Sequence, residues 1–225
     1  YALVAYQTAW LKAHHQAQFM AAVLSSDMDN TDKVVIFYED CKNLKINVLP
    51  PNINQGFYKF TVNANNDVVY GLGAIKGVGE SVAQNIAAER EKGEFIDLFD
   101  FCNRVDIKKL NKRVFEALIN SGALDCFNIH RASLFATMPL ALQNAEQQLE
   151  NESSGQIDLF SFLDTNSNLS YVESDAWDEK YYLQKEKEAL GFYLSAHPID
   201  LYEDELRQFT TTSIAKLNPS FDHAV

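Results

Sequence analysis

Residues 71–80 read Gly71-Leu-Gly-Ala-Ile-Lys-Gly-Val-Gly-Glu80, and this glycine-punctuated run decides how the middle of the chain folds. A helix is expected to follow over Ser81–Lys92, so Gly77-Val78-Gly79 form the turn immediately before a helix N-terminus. Glycine permits positive φ and lets the backbone approach a ligand without a Cβ in between. The N–H groups of a first helical turn favour an anion. With Lys76 adding a positive charge at the same end, the run predicts a phosphate-binding turn.

Two common phosphate motifs do not match the run. The glycine spacing differs from the dinucleotide-binding fingerprint and no βαβ pattern surrounds it, and the Gly-Lys-Ser/Thr of a P-loop is absent. Gly-apolar-Gly followed by Ala83 and Ile86 instead resembles the helix-hairpin-helix motif. In that motif the hairpin backbone and a helix N-terminus hold a DNA phosphate without reading the base sequence. The alternative is a glycine turn that only joins two helices.

A second basic segment, Lys108-Lys-Leu-Asn-Lys-Arg113, precedes Leu118-Ile-Asn-Ser-Gly-Ala-Leu-Asp125 and forms a degenerate partner of the first unit. Its four cations lie at the expected start of a helix, where the helix dipole disfavours positive charge. That placement indicates contact with phosphate rather than a contribution to helix stability. A solvated charged face is the alternative. The four cations are Lys108, Lys109, Lys112 and Arg113.

The remaining pattern is mainly helical with a small β-hairpin. The spacing of apolar residues predicts two N-terminal helices that break near His14-His15, and Asn63–Asn66 has the composition of a hairpin turn. Ser121-Gly122 should end the helix that starts near Asn111. Helices are expected over 1–24 (two), 32–43, 81–92, 111–120, 131–148, 179–194 and 199–209, strands over 46–49, 57–62 and 67–70, and a linker over 150–178.

The 225 residues suit one large domain or two small ones, and 47% of them are apolar. The net charge is −12, and residues 132–225 hold sixteen acidic and five basic residues, whereas 70–131 hold nine of each. Bulk charge argues against nucleic acid for the whole chain but says little about its balanced middle. We see no membrane-spanning apolar run and no signal peptide. Residue 1 is Tyr rather than Met, and residues 1–6 already resemble the middle of a secondary-structure element, so we expect a piece of a longer chain.

The sequence gives no metal centre and no self-contained catalytic site. The three cysteines form no Cys-x-x-Cys pair, which indicates neither a zinc site nor a disulfide framework and favours a reducing, cytoplasmic compartment. A calcium loop beginning at Asp27 fails, because Asp32 stands where glycine is required and Tyr38 where glutamate is required. We therefore assign no catalytic residue and no cofactor to these residues.

Gln156-Ile-Asp-Leu-Phe160 is an apolar cluster in polar, turn-forming sequence. Glu150–Gly155 precedes it, and Asp164–Ser170 follows shortly after. A chain that exposes large apolar residues on such a stretch usually offers them to a partner. The alternative is a short strand that packs back onto its own domain.

Taken together, the chain closely resembles the bacterial replicative DNA polymerase III alpha subunit. The resemblance runs over most of the chain, and its motifs occur in the family's order. The segments that carry it are Tyr1-Ala-Leu-Val-Ala-Tyr-Gln-Thr-Ala-Trp-Leu-Lys-Ala-His14, Phe19-Met-Ala-Ala-Val-Leu24, Val48-Leu-Pro-Pro-Asn-Ile-Asn54, Tyr70-Gly-Leu-Gly-Ala-Ile-Lys-Gly-Val-Gly79 and Leu190-Gly-Phe-Tyr-Leu-Ser-Ala-His-Pro198.

The resemblance implies four parts. Residues 1–65 would end the fingers domain, and 66–140 would form a tandem helix-hairpin-helix region that holds duplex DNA, with Lys76, Gly77, Val78 and Gly79 and the second basic segment at the phosphates. Residues 141–178 would be a flexible linker, and 179–225 would be helices that lead toward an OB-type module. The Mg²⁺-binding carboxylates of the polymerase would lie in a palm domain outside this chain, so the fragment alone should not polymerise. Other replicative holoenzyme subunits would be partners, and a membrane would not.

The resemblance also assigns Gln156–Phe160 to binding of the sliding clamp, the beta subunit of the replicase. The amide of Gln156 can form hydrogen bonds, Leu159 and Phe160 can fill an apolar pocket, and Ile157 can add side contact. Asp158 and the acidic surroundings would keep this peptide away from DNA phosphate.

Two functions of other classes compete with this interpretation. One is a protein-interaction adaptor with an acidic linker and no role in DNA binding. The other is a free-standing helix-hairpin-helix repair enzyme, against which the lack of a nucleophilic lysine or catalytic aspartate in the expected context counts. Salt-dependent binding to a primer–template duplex separates the polymerase interpretation from the adaptor.

Overall fold

Helices α1 to α9 and a small three-stranded sheet make up the part of the chain that the computed structural model describes, residues 1–153 and 170–210. The mainly α-helical fold class with a small β-hairpin is confirmed. The helices are α1 (Ala2–His14), α2 (Gln16–Ser26), α3 (Thr31–Asn43), α4 (Glu80–Arg90), α5 (Leu98–Arg104), α6 (Lys112–Asn120), α7 (Arg131–Ser153), α8 (Glu179–Leu190) and α9 (Glu203–Phe209). The strands are β1 (Val48–Leu49), β2 (Thr61–Val62) and β3 (Val68–Val69).

The N-terminal helices break where the sequence predicts. His15 leaves the helical region, with φ −134° and ψ 57°, and separates α1 from α2. No residue of α1 is buried, whereas α2 buries one face against the sheet and α3. Asn30 caps α3 through its side-chain oxygen, which accepts a hydrogen bond from the N–H of Lys33.

The sheet lies beside α2 and leads into the glycine run. β2 and β3 pair antiparallel with Val62 opposite Val68, so the predicted hairpin is confirmed, although its strands are shorter than expected. The side-chain oxygen of Asn63 holds the turn by accepting from the N–H of Asp67 at 2.9 Å. β1 pairs with β3 in parallel, which gives the order β1-β3-β2. The sequence predicted β1 but not its partner.

Close backbone contact with residues 57–60 fixes the start of the glycine run. The N–H of Gly73 donates to the oxygen of Tyr58 at 2.9 Å. A Cβ on Gly71 would lie 2.8 Å from the backbone nitrogen of Phe60, and one on Gly73 would overlap the Tyr58 ring. These two positions therefore require glycine for space.

Helix α5 is an element that the sequence pattern did not predict. Its N-cap is Asp97, whose carboxylate accepts from the N–H of Asp100 at 2.8 Å. Four of its seven residues are buried and lie on one face of the helix, but seven residues make only about two turns, too short a run for the helical period to stand out. The buried residues are Leu98, Phe99, Phe101 and Cys102.

Arg104 ends α5 and ties it to the end of α4. Its guanidinium donates to the backbone oxygens of Glu89, Gly93 and Glu94, and to the carboxylate of Asp100 at 3.0 Å. The last carbonyls of a helix have no partner within it. Arg104 therefore satisfies the end of α4 from a neighbouring element.

The expected linker is partly ordered structure. The helix predicted over 131–148 continues to Ser153 as α7, because its alanine, leucine, glutamine and glutamate residues favour a helix. Residues 141–153 thus belong to α7 rather than to the linker. After the gap, the hydroxyl oxygen of Tyr171 accepts from the N–H of Leu98 at 3.0 Å, and the N–H of Val172 donates to the hydroxyl of Thr137 at 2.9 Å.

The C-terminal helices start as expected and end differently. Asp178 caps α8, and Gly191 at φ +89° follows its last residue, Leu190, which lies four residues before the predicted end at Leu194. Residues 200–202 form a single 3-10 turn before α9, where one helix was predicted from Ile199.

We expect Arg104→Ala to lower the free energy of unfolding by about 3 kcal/mol, because several backbone oxygens lose a charged donor. Urea denaturation followed by circular dichroism measures the change. Arg207→Ala is the control, since it removes only an ion pair with Glu203 whose side chains are 70% and 62% exposed. It should cost no more than about 1 kcal/mol. Equal, small losses in both variants would contradict the role given to Arg104.

Candidate nucleic-acid interface

Of the two glycines in the first turn, one has the positive φ that the sequence predicts. Gly77 adopts φ +90°, with open space where a Cβ would stand. Gly79 is extended instead, with φ −79°, and serves as the N-cap of α4. Within this turn only Gly77 needs positive φ. Gly79 has no side chain that could cover the N-terminus of α4.

Val78 anchors the turn to the protein. Its side chain is only 4% exposed, and its N–H donates to the oxygen of Ile75 at 3.0 Å. Because this N–H is already used, a ligand at the turn would meet the backbone of the flanking glycines. The sequence predicted a phosphate site that includes Val78, whereas in the structure Val78 anchors the turn and the glycines on either side face open space.

The N-terminus of α4 has no side-chain cap. The carboxylate of Glu80 accepts a hydrogen bond from the side-chain amide of Gln84 at 3.0 Å, so it is engaged on the helix surface. First-turn N–H groups without a side-chain partner attract an anion, and the helix dipole adds to this attraction. A cavity of about 380 Å³ lies beside the turn and is lined by 73–79 together with Asp29, Thr31 and Tyr58.

Lys76 lies between the turn and α8. Its side chain is exposed, and its N–H donates to the oxygen of Ala189 at 2.9 Å. Its ammonium lies beside Gly191, at the C-terminal end of α8, where the helix dipole favours a cation. The predicted positive charge is thus present next to the turn, and the backbone of Lys76 is hydrogen-bonded to α8.

The second basic group also lies where the sequence predicts it. Lys108 and Lys109 precede α6, and Lys112 and Arg113 occupy its first turn after the Asn111 N-cap. All four side chains are exposed. Two form long ion pairs, Lys109 with Asp106 at 3.5 Å and Lys112 with Glu116 at 3.8 Å. Exposed pairs of this kind contribute little stability, so the cations remain available to an anionic ligand.

The second glycine turn, between α6 and α7, is closed by an internal cation. Gly122 has φ +84°, and a Cβ there would overlap the guanidinium of Arg131. Arg131 is 6% exposed, pairs with Asp125 at 2.6 Å, donates to the oxygen of Asn120 at 2.8 Å and lies over the ring of Tyr182. Sequence reasoning missed Arg131, although both Asp125 and Arg131 follow Gly122 within ten residues.

The second unit therefore differs from the one expected. The basic group and the Gly122 turn lie at opposite ends of α6, a helix of nine residues and thus about 13 Å long. One phosphate cannot contact both, so each belongs to a separate part of any DNA path.

The described residues offer neither a metal site nor an activated thiol. No group of three or more His, Cys, Asp or Glu residues within 1–153 and 170–210 could hold a metal ion. Burial raises the pKa of the Cys41 and Cys126 thiols to about 11 and that of Cys102 to about 12. Because the thiolate is the nucleophile, these cysteines are unreactive at neutral pH.

Comparisons with known proteins agree with this geometry. A family model described as a helix-hairpin-helix motif matches residues 45–134, which include the first turn, the basic group and Gly122. The DNA polymerase III subunit alpha of Vibrio cholerae serotype O1 is 48% identical over 224 residues, which cover 98% of this chain and 19% of that relative. The chain belongs to the DNA polymerase III subunit alpha family. The family resemblance seen in the sequence is thereby confirmed.

Other members are equally similar. The Haemophilus influenzae subunit is 47% identical over 224 residues, 98% of this chain and 19% of the relative. The Escherichia coli strain K12 subunit is 47% identical over 213 residues, 93% of this chain and 18% of the relative. The chain thus spans about a fifth of the length of these relatives.

Gln156–Phe160 lies outside the described residues, so its predicted role stays a prediction. Of the helices in 1–153 and 170–210, none is both long and apolar enough to span a bilayer.

Proposed function

We propose that this chain holds duplex DNA through its phosphates as part of a replicative DNA polymerase. The uncapped N-terminus of α4, placed behind the positive-φ turn at Gly77, carries this proposal. It lies within the segment that matches the helix-hairpin-helix family. Backbone N–H groups contact phosphate oxygens without regard to base identity, which suits a polymerase that must hold every sequence.

The basic group at the start of α6 supplies a second phosphate contact in this proposal. Lys108, Lys109, Lys112 and Arg113 are exposed at a helix end where their charge is unfavourable without an anion. When these cations neutralise DNA phosphates, they displace counterions from the DNA, so binding should depend strongly on salt concentration.

The net charge of −12 does not oppose binding at this surface. Residues 132–225 contain sixteen of the acidic residues and only five basic ones, whereas 70–131 are balanced. Exposed charges farther apart than about 8–10 Å are largely screened at physiological salt. Of the acidic residues on α8, which contacts the turn, Glu188 pairs with Lys185 at 2.7 Å and Glu186 accepts hydrogen bonds from the backbone of Leu194 and Ser195.

In the longer protein, we propose template-directed transfer of a deoxynucleotide to a primer 3′ end. In this proposal the carboxylates that hold Mg²⁺ lie in a palm domain outside this chain. This chain would act beside that chemistry, in the cytoplasm and with other holoenzyme subunits.

We further propose that Gln156–Phe160 binds the sliding clamp. Leu159 and Phe160 would each contribute about 1.5–3 kcal/mol on burial, before ordering costs. Tethering the peptide to a DNA-bound polymerase raises its effective concentration at the clamp, so modest intrinsic affinity suffices.

Lys76→Glu should weaken binding of a primer–template duplex roughly tenfold at 100 mM salt, because an attractive charge beside the phosphate becomes repulsive. Fluorescence anisotropy across a salt series measures this. Lys12→Glu makes the same charge change on exposed α1 and should leave affinity almost unchanged. If the unmodified chain binds no duplex at low salt, the adaptor interpretation replaces this proposal.

Leu159→Ala combined with Phe160→Ala should weaken clamp binding by at least about a hundredfold, since two buried side chains are lost. Calorimetric titration with the clamp measures the affinity. Phe162→Ala combined with Leu163→Ala is the matched control, with the same residue types just outside the peptide. Unchanged affinity in the first variant would show that this peptide does not hold the clamp.

The chain alone should not extend a primer, because the proposed Mg²⁺ carboxylates lie in another domain. A radiolabelled primer–template extension assay with Mg²⁺ and deoxynucleotides tests this. Template-dependent synthesis by the purified chain would contradict the proposal that catalysis takes place in another domain.

A further inference from the structure

The C-terminal end of α8 contacts the first glycine turn directly. The N–H of Lys76 donates to the oxygen of Ala189, a last-turn carbonyl of α8 that lacks a partner within its own helix. Gly191 then reverses the chain at φ +89°. A Cβ at Gly191 would overlap Cγ2 of Thr31 and lie 3.1 Å from the ammonium of Lys76. Gly191 therefore leaves space mainly for Thr31, and the Lys76 ammonium lies at the edge of the same space.

A buried carboxylate keeps this end of α8 in place. Glu186 is 1% exposed, and its Oε2 accepts from the N–H groups of Leu194 and Ser195 at 2.8 and 2.9 Å. Its Oε1 accepts from the hydroxyl of Ser195. A buried carboxylate without hydrogen bonds would be costly, so these donors and Glu186 stabilise each other. The bonds fold the residues after Gly191 back onto α8.

The folded-back segment also reaches α3. The ring of Phe192 packs against Tyr38 with centroids 5.2 Å apart. Thr31, which limits the space at Gly191, is the first residue of the same helix. The turn at Lys76 is thus enclosed between α3 and α8, two elements far apart in the sequence.

We propose that Gly191 and Glu186 are positioning residues for the DNA contact, which rests on the proposed DNA-binding function. Glu186 fixes the segment after α8, Gly191 leaves the space at whose edge the Lys76 ammonium lies, and Ala189 holds the Lys76 backbone. α8 follows the proposed clamp-binding peptide in the chain, so residues beyond that peptide complete the phosphate-binding turn that precedes it. Neither Gly191 nor Glu186 needs to touch DNA.

The first test compares two glycines. Gly191→Ala should weaken duplex binding by the full chain roughly fivefold at 100 mM salt and reduce the slope of log affinity against log salt by about 0.9, one phosphate contact. Gly93→Ala is the control, because Gly93 also has positive φ but open space around it. It should leave the slope unchanged. Circular dichroism and thermal unfolding show whether each variant folds.

The second test separates positioning from general stability. In a Lys76→Ala background, Gly191→Ala should cause no further loss of affinity, because both changes remove the same contact. Glu186→Ala should also reduce the salt slope, whereas Glu186→Gln keeps an oxygen for the two N–H donors and should retain it. If Gly191→Ala does not fold, the Glu186 pair decides the question.

The outcomes distinguish this inference from the function on which it rests. If the unmodified chain binds no duplex, or Lys76→Ala binds as well as the unmodified chain, the proposed phosphate contact itself is wrong. If Lys76→Ala weakens binding while folded Gly191→Ala and Glu186→Ala keep the normal affinity and salt slope, the positioning role is overturned and the DNA contact stands.

Discussion

Backbone contact between residues 57–60 and 71–73 is the constraint on which the described structure depends. Gly71 and Gly73 approach the preceding segment so closely that no Cβ fits. This contact carries the chain from the sheet directly into the turn at Gly77. The turn then sets the start of α4, and Arg104 secures the end of α4 from α5. The close approach at Gly71 and Gly73 thereby positions the glycine turn and α4 relative to the sheet.

Local features were predictable from the sequence, and long-range ones were not. The break at His14-His15 and the turn before α4 depend on neighbouring residues, and the structure has both. Helix α5 escaped prediction because its seven residues make only about two turns, too short a run for a helical period to stand out. The parallel pairing of β1 with β3 joins strands twenty residues apart, which no local pattern specifies. For the candidate site, Lys76 and Gly77 were recognisable, but their dependence on α8 was not.

The two glycine turns show how similar sequence can serve different ends. At Gly77 the helix end is open and the neighbouring cation is exposed. At Gly122 the guanidinium of Arg131 fills the space, and Asp125 neutralises it. A buried, paired cation stabilises its own turn but has little left to offer a ligand. The two turns therefore differ, with one suited to an anion and the other to internal structure.

Two hydrogen bonds bring the chain after residue 170 back onto helices that precede it. α7 continues to Ser153, and Tyr171 and Val172 are held against α5 and α7. Thr137 lies in the first half of α7, so the hydrogen bond from Val172 returns the chain to the start of that helix before α8 begins. α8 then packs against α6. The position of α8 is therefore set by contacts with α5, α6 and α7 rather than by the number of residues between 153 and 170.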